Sequence, residues 1–376
     1  MPTPHFESLT VPVHRASTLV FDDTASFLAR KTQLFDGYSY GLYGTPTTRA
    51  LEERVAAIEG GNRSVAVPSG LAAITHPLLA LLKSGDHVLA ADCLYGPTRE
   101  FLVGALARLG IETSFLPAAA ESLQGHLRTN TRMVLLESPG YYTMEIQDIA
   151  PISAQAKKAG CLVLLDNAWG FGASGMFEQG VDIVATPLSK YASGHSDVCM
   201  GAITLRDEAL FRQIKSFTAG IGAGVSSDDA YLILRGLETL PLRLAEHAQR
   251  GLTVSRWMLE QAQVERVHNP ALPTDSQHAR FLRYFRSGNG LFSVIFKRAD
   301  LAALSAMIDG YRYFRIGASY GGTHSLVAIA DLSATRSHIG IAEGSYIVRY
   351  HIGLEPLDAL FDDLRVGFER LDAALG

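Results

Sequence analysis

Cysteine, long apolar runs and an excess of positive charge are what this sequence lacks. Three cysteines in 376 residues, Cys93, Cys161 and Cys199, are an odd number without metal-ligand spacing, which excludes a disulfide framework and a cysteine-based zinc site. Cys161 opens the apolar run CLVLLD, so the thiols read as buried and structural. Lys and Arg number 33 against 38 Asp and Glu, a net charge of -5 with no basic run. Such a chain has no field to gather nucleic acid or an anionic membrane. No apolar run approaches the roughly 20 residues of a bilayer span, and MPTPHFESLTVPVH lacks the basic start and apolar core of a secretory signal. The expectation is a cytoplasmic protein.

What is present is material for a large core. Hydrophobic residues make up 47% and charged residues 19%, which argues against disorder. The length suggests a large domain, a smaller one and a cleft between them. Residues 1–47 mix Pro, Gly and aromatics without sustained periodicity and read as an arm that rests on a neighbouring subunit. Residues 48–239 alternate helical and strand patterns: TTRALEERVAAIEGG, SVAVPSG, LAAITHPLLALLKSGD, HVLAAD, PTREFLVGALARLG, IETSFL, RMVLLESPG, CLVLLDNAW and VDIVATPLSK. This is the signature of an α/β fold with a mostly parallel central sheet, whose ligands sit beyond the carboxyl ends of the strands. Residues 240–376, with GLFSVIFK and YIVRYHIG, read as a smaller α+β C-terminal domain.

Candidate chemistry follows the strands. Gly170, Gly172 and Gly175 form a GxGxxG after CLVLLD, but too few residues separate Gly175 from the next strand for the crossover helix a dinucleotide fold needs. Ser193, His195 and Asp197 are too close along the chain to form a hydrolase relay, and His195 and Asp197 lack partners at metal-ligand spacing. Asp166 ends one strand, where a turn cap is an equally ordinary role; Lys190 follows the next, where a solvated lysine is the common case. VAVPSGLAAI is a strand, turn and helix start whose backbone amides can hold a phosphate. A carboxylate, an amine nucleophile and a phosphate cradle together suit pyridoxal 5'-phosphate.

The segments PSGLAAI, ESPGYYTMEIQDI, LLDNAWG, SKYASGHSD, YGG and VRYHIGLE, in this order, resemble the Cys/Met-metabolism family of pyridoxal-phosphate-dependent enzymes, from about Tyr38 to the C-terminus. The likeness implies the aspartate-aminotransferase-like fold, fold type I. It implies that Lys190 holds the cofactor covalently, Asp166 pairs with its pyridine nitrogen, Tyr95 stacks on its ring, and Gly70, Leu71 and Ser189 bind its phosphate. Arg349 then grips the substrate carboxylate, Ser319 and Tyr320 wall the substrate pocket, and Tyr40 enters the site of an adjacent subunit in a homotetramer built as a dimer of dimers.

Within the family the chain looks most like the bacterial branch that cleaves cystathionine, which implies β-elimination to homocysteine, pyruvate and ammonia in methionine biosynthesis. Lyases of cysteine or other S-substituted cysteines, γ-lyases and γ-synthases of the family, and a cofactor-binding protein without turnover are the alternatives. The sequence departs from the family pattern at two places. Leu42 stands where an arginine commonly reaches the cofactor phosphate across the subunit interface, and Tyr320 where the cystathionine-cleaving branch often has tryptophan.

Overall fold

The computed structural model describes residues 8–331, 333, 336–337 and 346–376; the first seven residues of the expected arm lie outside it. The first long helix, Pro46–Glu59, shows how locally the sequence dictates its elements. Thr45 caps it by accepting from the Thr48 amide, Pro46 occupies the first turn, and Gly60 at φ 77° ends it in the left-handed conformation that glycine tolerates best.

Seven strands form the first sheet: β1 (Arg63–Val67), β2 (His87–Ala91), β3 (Glu112–Leu116), β4 (Thr131–Glu137), β5 (Leu162–Asp166), β6 (Ile183–Pro187) and β7 (Gly201–Leu205), in the order β1-β7-β6-β5-β4-β2-β3. β3, β2, β4, β5 and β6 run parallel, and β7 and β1 close the sheet through antiparallel pairs. Both faces are covered, so β2 and β5 read as continuous apolar runs rather than alternating ones.

Five strands form a second sheet: β8 (Val264–His268), β9 (Leu291–Phe296), β10 (Arg315–Ile316), β11 (Leu326–Asp331) and β12 (Tyr346–His351), in the order β10-β11-β12-β9-β8. The helix Leu240–Leu259 joins the two regions. Its Leu240 and Leu244 pack in the first core, its Val254 and Met258 in the second. On β12 the period of two sends Val348 and Tyr350 into the second core. Arg349 and His351 therefore lie on the opposite face, toward the end of the first sheet. Among the described residues no helix is long and apolar enough to cross a membrane.

Candidate active site

The carboxyl ends of β4, β5 and β6 lie side by side, with Glu137 opposite Asp166 and Asp166 opposite Ala185. The Asp166 carboxylate is buried and accepts from the Ala168 amide at 3.0 Å. Burial pushes its pKa up to about 6, against the pull of the Ala168 N–H and of Lys190. Glu137 is buried beside it and accepts from the Tyr95 amide at 2.6 Å. Burial and the neighbouring Asp166 push this carboxyl well above its ordinary range. Two adjoining buried carboxyls favour a bound proton or a cationic partner.

Lys190 leaves the sheet just past the end of β6. Its Nζ donates to Ser319 Oγ at 2.7 Å and stands 5.0 Å from the centre of the Tyr320 ring. Burial, with Arg349 adding to it, lowers its pKa to about 8, while Asp166 works in the opposite direction. Gly321 makes this contact possible. At φ +87° it lies on the backbone of Lys190, and a Cβ there would come within 2.6 Å of Tyr191 N.

The helix Gly70–Leu81 begins against the end of β6, where a Cβ on Gly70 would sit 2.5 Å from Pro187 Cβ. Ser69 takes the Ala72 amide on its hydroxyl and the Ala73 amide on its carbonyl. The N–H groups of Gly70 and Leu71 have no partner within the helix and are free to meet an anion. Ser189, adjoining Lys190, donates its hydroxyl to Met200 O at 3.2 Å. Tyr95 presents a partly open ring, 38% exposed, braced edge-on by Tyr141 at 5.2 Å.

Arg349 comes from the second sheet. It is 3% exposed, its Cζ is 4.8 Å from the Tyr142 ring, 5.2 Å from Tyr141 and 5.9 Å from Tyr320, and it donates to Ser319 O at 3.4 Å. Among the described residues no carboxylate lies within ion-pair distance of it. A buried guanidinium in this position calls for an anion from outside the chain.

The structure thus brings Asp166, Lys190, Ser189, Gly70, Leu71, Tyr95, Ser319, Tyr320 and Arg349 to one end of the first sheet. Tyr40 stands apart: 49% exposed on the arm, it has no ring contact or side-chain hydrogen bond to that group among the described residues. Leu42 turns toward Gly224 and shares a small pocket with the buried Lys215–Glu52 pair, whose Nζ–Oε1 distance is 2.6 Å.

Of the motifs set aside, Gly170 and Gly172 lie in turns and Gly175 in the irregular stretch after them, followed only by the short 3-10 segment Phe177–Gln179. His195 Nδ1 pairs with Ser193 O at 2.6 Å instead of joining a relay. Cys93 and Cys161 are buried, but Cys199 is exposed, a correction to the reading of all three as buried thiols. Glu137, Tyr141, Tyr142 and His351 received no role from the sequence. For Glu137 the signal was there, a carboxylate ending the apolar run RMVLLE, as Asp166 ends LVLLD.

These groups fit pyridoxal phosphate by their chemistry. The raised carboxyl pair matches a protonated pyridine nitrogen, the depressed amine matches an aldehyde, and the free helix amides match a phosphate. The fold and the site together define a pyridoxal-phosphate-dependent enzyme of fold type I. Residues 2–369 match the family described as Cys/Met metabolism PLP-dependent enzyme, and the chain belongs to that family.

A putative cystathionine beta-lyase of Rhizobium johnstonii is 37% identical over 96% of this chain and 91% of the relative. The cystathionine beta-lyase of Salmonella typhimurium is 35% identical over 97% of this chain and 94% of its own. A crystal structure of cystathionine gamma synthase from Xanthomonas oryzae pv. oryzae superposes with a TM-score of 0.88 at 30% identity, covering 97% of this chain and 94% of that one. Relatives therefore include both β- and γ-specific enzymes.

Proposed function

We propose that the protein is a carbon–sulfur β-lyase that cleaves L-cystathionine to homocysteine, pyruvate and ammonia, as a cytoplasmic step of methionine biosynthesis. The likeness at 37% and 35% identity to two cystathionine beta-lyases over nearly the whole chain carries this reading.

Pyridoxal phosphate, held at Lys190 until the substrate amine displaces that lysine and frees it, would supply an electron sink for the pair left on the substrate α-carbon. Asp166 would hold the proton on the pyridine nitrogen, Tyr95 would lie against the ring, and Gly70, Leu71 and Ser189 would hold the phosphate. Arg349 takes the α-carboxylate in a planar fork. Lys190, whose pKa near 8 leaves part of it unprotonated at neutral pH, removes the α-proton, and the Ser319 hydroxyl orients its Nζ. The Cβ–S bond then breaks with its electron pair going to sulfur, which takes up a proton. Water converts the three-carbon remainder to pyruvate and ammonia.

The reading includes a neighbouring subunit. The arm of residues 1–47 carries Tyr40 into an adjacent site within a homotetramer, a dimer of dimers, while residues 48–239 and 240–376 form the two domains. The support is an arm whose Leu9, Val20, Leu28 and Tyr40 side chains stand exposed.

The test is product identification from the purified holoenzyme and L-cystathionine. Homocysteine with pyruvate is expected; cysteine with 2-oxobutyrate overturns β-cleavage in favour of γ-elimination. A second reading, in which cysteine, cystine or another S-substituted cysteine is preferred, rests on Tyr320 in the pocket wall, its ring 5.9 Å from Arg349. A higher kcat/KM for cystine or an S-alkylcysteine than for cystathionine decides for it.

A further inference from the structure

The terminal motif VRYHIGLE contributes Arg349 to the site, but its remaining polar groups point elsewhere. Tyr350 meets the Tyr311 hydroxyl at 3.1 Å in the second core, while His351 and Glu355 close on one loop, Ser319 to Ser325, which carries the hydroxyl that meets Lys190. Ser319 itself sits at φ +95°, a conformation a side-chain-bearing residue avoids. Such strain persists only where the surroundings over-determine it.

The surroundings do so residue by residue. Arg349 holds the Ser319 carbonyl at 3.4 Å. His351 Nε2 stands between the Gly321 amide at 3.1 Å and the Gly322 carbonyl at 3.0 Å. In one tautomer it accepts from Gly321 and in the other its N–H donates to Gly322, so a neutral ring always keeps one bond. Burial, with His247, Arg349 and Lys190 nearby, holds the ring neutral by lowering its pKa to about 3. Further along, the Leu354 amide donates to Thr323 O at 2.8 Å and the Gly353 amide to Ser325 Oγ at 2.9 Å. Glu355 accepts from Ser325 on both oxygens, from its amide at 2.7 Å and its hydroxyl at 2.9 Å.

Ordinary packing does not require this arrangement. The loop's own backbone forms no regular structure between Gly317 and Ser325, and a buried imidazole such as His351 spent on a loop is costly unless the loop's position matters.

We propose that His351 and Glu355 are positioning residues: they clamp the Ser319–Ser325 loop so that the strained Ser319 presents its hydroxyl to Lys190 and fixes the direction of that amine. The inference rests on Lys190 being the cofactor lysine and is independent of which carbon–sulfur bond is cleaved.

The experiment follows attachment of pyridoxal phosphate to the apoprotein at Lys190 by its visible absorbance, without any substrate. His351→Phe keeps the ring and removes both bonds; it should slow attachment about tenfold, since small misplacements of a reacting group cost one to two orders of magnitude. Ser319→Ala should slow it to a similar degree, and the double variant should be no slower than Ser319→Ala alone, because both act through one contact. His351→Asn, which can still meet Gly321 or Gly322, should restore most of the rate.

Should His351→Phe fail to fold, as judged by its melting temperature, Glu355→Gln takes its place. It is expected to slow attachment about threefold and again to be non-additive with Ser319→Ala. Attachment at the wild-type rate in the folded variant, or a loss that adds fully to that of Ser319→Ala, overturns the clamp. Failure of the wild-type apoprotein to attach the cofactor at Lys190 overturns the reading of the site instead, and the clamp with it.

Discussion

The two sheets contribute to the site in different ways. From the first, candidate functional groups leave at strand ends: Glu137 ends β4, Asp166 ends β5 and Lys190 stands just past β6. From the second they come from within a strand and from the loop beside it, Arg349 in β12 and Ser319 before β11. The parallel sheet gathers several strand ends along one edge and so builds a place for a cofactor. The antiparallel sheet presents one face of a single strand, with Arg349 and His351 side by side, the wall to which the proposed function assigns the substrate. On this account the first sheet handles the cofactor and the second handles the substrate, apart from the Ser319 loop, which aims Lys190.

Substitutions can break that division. Lys190→Ala removes the amine to which the proposed function gives both attachment and proton transfer, and turnover should fall to background with no visible cofactor band in the dialysed protein. Asp166→Asn should follow, with kcat down by about a hundredfold to a thousandfold, the scale seen when a preorganised charge partner is lost.

The same variant has a stability signature. Asp166 has its folded pKa raised above the unfolded value of 3.8 to about 6. Its contribution to stability is therefore fully present below 3.8 and is lost as pH rises through 6. The wild-type apoprotein should lose on the order of 2 kcal/mol from this group between pH 4 and pH 8. Asn removes that dependence, so thermal melts of the variant apoprotein should vary less with pH.

Arg349→Lys tests the other half. A point charge in place of a fork should lower kcat/KM by about tenfold to a hundredfold, with cofactor attachment slowed far less. Equal damage to attachment would erase the distinction between the sheets. The smallest effect is expected at the arm. Leu42 can neither donate nor carry charge, and Leu42→Arg should tighten cofactor binding severalfold in a titration of the apoprotein; an unchanged affinity would mean that another donor already fills the place.

The first region was the more legible in the sequence, for the same physical reason. A parallel strand buried on both faces is a short apolar run, so a charged residue at its end stands out, and LVLLD and IVATPLSK announced Asp166 and Lys190. β7 gave no such notice: GAITL is apolar, yet its antiparallel place between β1 and β6 is set by tertiary pairing. In the second region Arg349 is flanked by apolar neighbours in YIVRYH, where an arginine reads equally as one outward-facing residue of an alternating strand. Only the family likeness gave it a role there. Glu137 was visible by the rule that found Asp166 and went unused. His351 had no local signal at all, because its value lies in a loop some 30 residues away in the chain.

The most direct measurement is to reduce the holoenzyme with borohydride, digest it and locate the phosphopyridoxyl group by mass spectrometry. The account predicts a single modified peptide carrying the group on Lys190; modification of a different lysine, or of none, would contradict it.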